Sequence, residues 1–207
     1  MKPQELLAYT KSKTQSAQET EFWKIIEELE RTSFSSTVLG RIEKNVHIEG
    51  TLFLGKDALI KSGTRIEGNA FIGRNSVIGP NALLRKNVVI GENCRVSSSE
   101  IKNSVILDNS NIPHYSYVGD SVVCERVNFG AGAKVANLRF DNKNVHVSIN
   151  GKKIDSGRRK LGALVNADSR LGINACINCG IIIGKKCFVF PGAIVRENLP
   201  GGTIKER

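Results

Sequence analysis

This 207-residue chain is poor in aromatic residues: one tryptophan, three tyrosines and eight phenylalanines, 6 % in all. That scarcity argues against a nucleic-acid surface, where bases stack on aromatic rings beside a basic cluster. No apolar run reaches the length of a membrane span, about 20 residues, and no charged, then apolar, leader opens the chain. The expectation is a cytoplasmic protein with no membrane insertion and no nucleic-acid partner. The cysteines, Cys94, Cys124, Cys176, Cys179 and Cys187, are odd in number, against a disulfide framework. Cys176 and Cys179 form one C-x-x-C but lack the second pair or nearby histidines that a zinc site needs. Reduced structural thiols are expected, and no metal.

What the chain does have is a period of six. Ile42, Ile48, Leu54, Ile60, Ile66, Ile72, Ile78, Leu84, Ile90 and Val96 follow one another at six-residue steps. Periods of 2 or 3.6 would mean a strand or a helix. Six fits a solenoid in which each hexad is a short strand plus a corner, three hexads to a coil. A smaller residue recurs four places on: Val46, Leu52, Ala58, Thr64, Ala70, Ser76, Ala82, Val88 and Cys94. Cys187 falls in the same slot later. Gly55, Gly73, Gly79 and Gly91 come one place after the aliphatic, where glycine would supply the positive φ of a corner. The repeat continues through Ile101, Ile106, Ile112, Val118, Phe129 and Val135, and resumes at Val165, Leu171, Ile177, Ile183, Val189 and Val195. Between these runs, residues 137–162 form an inserted loop rich in Asn, Lys, Arg and Gly, on the face where solenoids carry binding insertions.

The formal net charge is +10, concentrated at Lys152–Lys153 and Arg158–Arg159–Lys160 within that loop. This suits an anionic, phosphorylated small molecule. Residues 1–38 lack the repeat. Ser16-Ala17-Gln18-Glu19 reads as a capping box. Phe22, Ile26 and Leu29 then give an amphipathic helix of roughly 15 residues, expected to pack on the first coil as a cap. Residues 39–207 make the β-helix domain.

The most pointed run is Pro113-His114-Tyr115-Ser116-Tyr117-Val118-Gly119-Asp120, followed by Val127-Asn128-Phe129-Gly130-Ala131-Gly132 and Val135-Ala136-Asn137-Leu138-Arg139-Phe140-Asp141-Asn142-Lys143. A histidine at a solenoid corner points outward, and imidazole ordinarily titrates near neutral pH, so His114 can take a proton. His47 and His146 are read as structural. Tyr117, Asn128, Asn137 and Lys143 return at later coils and could converge with His114 on one ligand.

These runs, with Glu100-Ile101-Lys102-Asn103-Ser104 and Gly157-Arg158-Arg159-Lys160-Leu161-Gly162, resemble the C-terminal acetyltransferase domain of the bifunctional glucosamine-1-phosphate acetyltransferase/N-acetylglucosamine-1-phosphate uridylyltransferase family, its archaeal-type relatives in particular. The resemblance covers about residues 40–200. It implies a left-handed parallel β-helix working as a homotrimer, with acetyl-CoA as cosubstrate and no metal required. By position, His114 matches the general base on the sugar amine. Arg85 and Lys102 match the cations on the sugar phosphate; Tyr117, Asn128 and Lys143 match further sugar-phosphate contacts; Ala131 and Asn137 match acetyl-CoA contacts. The implied activity is N-acetylation of an amino-sugar 1-phosphate, glucosamine-1-phosphate first, for UDP-N-acetylglucosamine synthesis. The chain departs from the family in lacking an L-x-x-G-x-G-T-R-like signature, so no uridylyl transfer is expected, in Leu138 where bacterial members carry Tyr, and in His146 where some carry Lys. The alternative is a non-catalytic assembly or regulatory subunit built on the same repeat.

Overall fold

A computed structural model describes residues 1–15 and 20–206. From Thr37 onward short parallel strands stack coil upon coil. Arg65–Ile72 pairs with Leu83–Ile90 at a constant offset, Arg65 against Leu83 and Ile72 against Ile90, which is three hexads. The chain is thus a parallel β-helix solenoid. Glu100–Ile106 pairs with two separate later strands, Tyr117–Gly119 and Val122–Val123, so it runs across a corner and serves two faces. Strands such as Val77–Ile78, Arg95–Val96 and Asn111–Ile112 form the third.

The aliphatic column fills the interior. Leu54, Ile60, Ile72, Ile78, Ile90 and Val96 are fully buried, and Ile42 and Ile48 pack against the same cluster at the open first coil. The later members, from Ile101 to Val195, lie in that cluster too. So do Ala58, Ala70, Ala82, Val88, Cys94 and Cys187 of the small slot. Burial pushes the Cys94 and Cys124 thiols up to about 12, and all five cysteines are free.

The corners differ from expectation in their chemistry. Of Gly55, Gly73, Gly79 and Gly91, only Gly79 has positive φ. Gly55 is required for closeness: a Cβ there would stand 2.7 Å from the backbone nitrogen of Arg74 on the next coil. The left-handed conformation falls instead to Asn45, Asp57, Asn75, Asn93 and Asn109, short polar residues that tolerate it.

Helix α1 spans Pro3–Lys13 and α2 spans Trp23–Glu30. The capping reading at residues 16–19 lies outside the described residues. Helix α2 is shorter than expected because Thr32, Ser33, Ser35 and Ser36, poor helix formers, follow it; the Thr32 hydroxyl closes its end by donating to the Glu28 carbonyl at 2.8 Å. Its placement also differs. The helices do not lie over the first coil. They lie along one flank, where every strand points an apolar residue outward: Phe53, Phe71, Val89, Val105, Val122, Leu164 and Ile182. Phe22, Trp23, Ile25, Ile26 and Leu29 bury against this column. In Leu52–Leu54 the two leucines face in while Phe53 faces out, as strand alternation requires.

The insertion is ordered. His146–Ile149 and Lys152–Asp155 form an antiparallel hairpin. Val145, Val147, Ile149 and Leu161 join the same flank cluster. Lys134 still pairs with Cys176 across it, so the coil absorbs the extra residues without loss of register. No described helix is long and apolar enough to cross a membrane.

Candidate functional site

The face preceding the covered flank carries charge outward. Register places Glu67, Arg85, Lys102 and Gly119 in one column, and Arg65, Leu83, Glu100, Tyr117 and Lys134 in the next. Stacked strands lie about 4.8 Å apart, so side chains of alternating sign meet along the column. Glu49 accepts from His47 at 2.7 Å and from Arg65 at 3.1 Å. Arg85 lies 3.5 Å from Glu67 and 2.8 Å from Glu100. The Glu100 contact, the larger influence, raises the Arg85 pKa.

At the corner between this face and the covered flank the backbone is left-handed at Gly50, Gly68, Lys86, Asn103 and Asp120. Asp120 is 1 % exposed and is held by three donors. Lys102 Nζ lies 3.1 Å from Oδ2, Asn137 Nδ2 2.5 Å from Oδ2, and Asn103 Nδ2 2.9 Å from Oδ1. A carboxylate withdrawn from water needs such a set, because an unpaired buried charge is costly. Tyr117 packs beside Asn137 over Gly119, where a Cβ would stand 2.5 Å from the phenol oxygen and 2.7 Å from Asn137 Nδ2. Burial, then the Glu100 and Asp120 charges, pushes the Tyr117 hydroxyl up, so at neutral pH it is a donor. Lys160, entering from the inserted segment, is pushed down by the Lys102 charge and then by burial.

Arg85, Lys102, Tyr117 and Asn137 therefore share one polar cluster. Lys102 is only 5 % exposed and already engaged by Asp120, and Arg85 is already paired with Glu100. His114 and Ala131 occupy the opposite edge of the same face, on consecutive corners. The Gly132 N–H donates to the His114 carbonyl at 2.8 Å, and the His114 N–H to Ser97 at 3.0 Å. His114 is exposed with φ 61, and its ring makes no hydrogen bond among the described residues. Asn128 stands on the third face between Asn111 and Arg170. Lys143 is exposed in the insertion, its N–H donating to Asp141 at 3.2 Å. Within one chain neither joins the cluster.

Sequence reasoning missed Asp120, Asn103, Glu30 and Arg158 as parts of the site. A usable signal was there for two of them. Asn103 and Asp120 both take the left-handed corner and come one coil apart, as residue types that suit it. Two adjoining clefts, 520 and 470 Å³, share Arg139, Cys179 and Arg196; the first is lined by the start of the insertion, Leu138 to Asp141, and the second reaches His146, Ser148 and Lys153 of the hairpin. A third, of 640 Å³, opens at the C-terminal end around Pro191–Glu197. None of the three is lined by the clustered residues. Among the described residues no group of three or more His, Cys, Asp or Glu could hold a metal ion.

Residues 65–157 match the family model of the GMPPB C-terminal domain. Over 187 residues the chain is 49 % identical to a bifunctional sugar-1-phosphate nucleotidylyltransferase/acetyltransferase of Sulfurisphaera tokodaii, covering 88 % of this chain and 46 % of that one. Over 165 residues it is 51 % identical to the bifunctional protein GlmU of Methanococcus maripaludis, covering 79 % and 40 %. The chain thus spans under half the length of each relative. Among solved structures, a UDP-N-acetylglucosamine acyltransferase from Campylobacter jejuni overlays with a TM-score of 0.49 at 16 % identity, covering 77 % of this chain and 68 % of that one.

Proposed function

Because the chain belongs with the C-terminal acetyltransferase domain of the bifunctional sugar-1-phosphate nucleotidylyltransferase/acetyltransferase family, we propose that it is an acetyl-CoA-dependent N-acetyltransferase acting on an amino-sugar 1-phosphate, glucosamine-1-phosphate first. The observation that carries this reading is the polar cluster of Arg85, Lys102, Tyr117 and Asn137 on one face, with exposed His114 and half-buried Ala131 along its edge. In the reaction the sugar amine attacks the thioester carbonyl carbon, the C–S bond breaks, and coenzyme A leaves as a thiolate that takes up a proton. An ammonium cannot attack, so a base must hold the amine neutral. His114, with a free ring at an exposed corner, takes that role. Cations and a phenol donor grip the phosphate, charge-assisted contacts being the strong ones. A backbone N–H at the corner meets the developing oxyanion. No nucleophile from the protein is needed.

Asn128 and Lys143 reach the substrate in this reading from neighbouring copies in a homotrimer. Exposed Ile173, Phe188, Phe190 and Ile194 on the late coils support such an assembly, since large apolar side chains left in water favour contact. The test is coenzyme A release from acetyl-CoA with glucosamine-1-phosphate, on wild type and His114→Ala. Loss of roughly 100-fold or more, the usual weight of a general base, is expected with the fold intact. Unchanged turnover would sink the assignment. A second reading, a non-catalytic assembly subunit, is favoured by one observation: Lys102 and Arg85 are already neutralised by Asp120 and by Glu100. Absence of turnover in wild type, with galactosamine-1-phosphate also inert, would select it.

A further inference from the structure

Helix α2 ends at Glu30, directly above the corner that holds Asp120. Arg158, from the return arm of the insertion, grips Glu30 with two bonds, Nη2 to Oε1 at 2.6 Å and Nη1 to Oε2 at 3.1 Å. Glu30 Oε1 also accepts from Asn103 Nδ2 at 2.8 Å. The other hydrogen of the same Nδ2 goes to Asp120 Oδ1 at 2.9 Å. Both hydrogens of one amide are thus donated to two carboxylates, which fixes how the amide is turned. Asn103 Oδ1 is left buried and unpartnered. That is the expected cost of placing the group as a double donor. The chain of contacts alternates in sign: Arg158, Glu30, the Asn103 amide, Asp120, Lys102. At its far end Asp120 sets Lys102 and Asn137. Burial pushes the Glu30 carboxyl up, and the bonds from Arg158 and Asn103 outweigh it, holding the group below its usual range.

A solenoid needs neither an N-terminal helix nor an insertion to close its core. Here both send a charged side chain to one corner, and that corner borders the candidate site. We propose that Glu30 is a positioning residue: through Asn103 it fixes Asp120, and through Asp120 it keeps Lys102 and Asn137 in place, so that the two appendages jointly set the substrate-binding face. Arg158 completes the device by holding Glu30 in its rotamer. The kinetic consequence rests on the acetyl-transfer reading; the structural one does not.

Lys102 is the one buried lysine among the described residues, which makes it a reporter. The experiment is amine labelling with an acylating reagent, read site by site by mass spectrometry on the full chain, with melting temperature and acetyl-transfer kinetics alongside. In Glu30→Ala, labelling of Lys102 is expected to rise roughly fivefold to tenfold, the equivalent of one lost hydrogen bond of ordinary strength, while other lysines label as in wild type. KM for the amino-sugar phosphate rises by a similar factor and kcat stays within about twofold, as for a lost ground-state contact. Glu30→Gln keeps an acceptor for Asn103 and restores most of the protection. Unchanged protection of Lys102 in Glu30→Ala overturns the proposal. So does a rise at all lysines together with a fallen melting temperature, which would mean a merely structural role. If Glu30→Ala does not fold, Arg158→Gln carries the same readout from the other end of the chain of contacts. A wild type without turnover would end the acetyl-transfer reading, and the labelling would still decide the network.

Discussion

The covered flank and the charged face of the solenoid rest on the same interior columns and part company only in their outward slots. Along the flank each strand points Phe, Val, Leu or Ile outward, and helices and hairpin bury the column. Along the charged face Glu49, Arg65, Glu67, Arg85 and Glu100 form a ladder of ion pairs open to water. The backbone is alike on both, so the outward residue alone decides whether a face recruits another layer. Apolar burial is worth about 25 cal/mol per Å², whereas exposed ion pairs contribute little each. The flank therefore holds structure, and the charged face remains free for ligands.

The sharpest way to break this contrast is to put a carboxylate in the same slot on each face. Val105→Asp, under α2 and 0 % exposed, should cost on the order of 5 kcal/mol through a buried unpaired charge. Lys134→Asp, in an exposed outward slot, should cost under about 0.5 kcal/mol. Urea titration of both reads the difference; equal losses would mean that the flank is not a packed layer. Next comes the corner between the faces. Asp120→Ala leaves Lys102 buried without its partner, and about 3 kcal/mol of stability should go; a melting curve unmoved from wild type would show that the pair is not buried in solution. The smallest effect belongs to the ladder. Arg65→Ala should leave the melting temperature nearly where it was, and any difference should fade in 1 M salt. A large, salt-resistant loss would refute the view of the ladder as solvated.

The interior was legible because it repeats every six residues and admits one kind of side chain. The covered flank was not. Its signal recurs once per coil, and the coils vary: Val89 lies opposite Val105, Val105 opposite Val122, and Val122 opposite Leu164 across the insertion. Reading Phe53, Phe71 and Val89 at every third hexad would have revealed it, and with it the resting place of α2. The glycines were misread because a corner needs both a left-handed residue and a close approach. Asn75 and Asn93 serve the first need, Gly55 and Gly73 the second. His114, Tyr117 and Asn137 were singled out by the pattern of the sequence itself, and the family resemblance added Arg85 and Lys102, with Asn137 assigned to acetyl-CoA rather than to the sugar phosphate. The network behind them was not, since Glu30 and Asn103 meet across 73 residues and Glu30 and Arg158 across 128. No local pattern encodes such a meeting.

Those separations also order events in time. Helix α2 leaves the ribosome before the strands it packs on, Leu83–Ile90 and Glu100–Ile106. At synthesis rates of about 5–20 residues per second, the interval from Glu30 to Arg158 is on the order of ten seconds. Through that interval the coils can wind one by one from local contacts, and Trp23, Ile26 and Leu29 gain their surface only once Leu83–Ile90 and Glu100–Ile106 are in place, well before Arg158 arrives to grip Glu30. The apolar face of α2 in a nascent chain is therefore uncovered until those strands form, and a holding chaperone would find its target there.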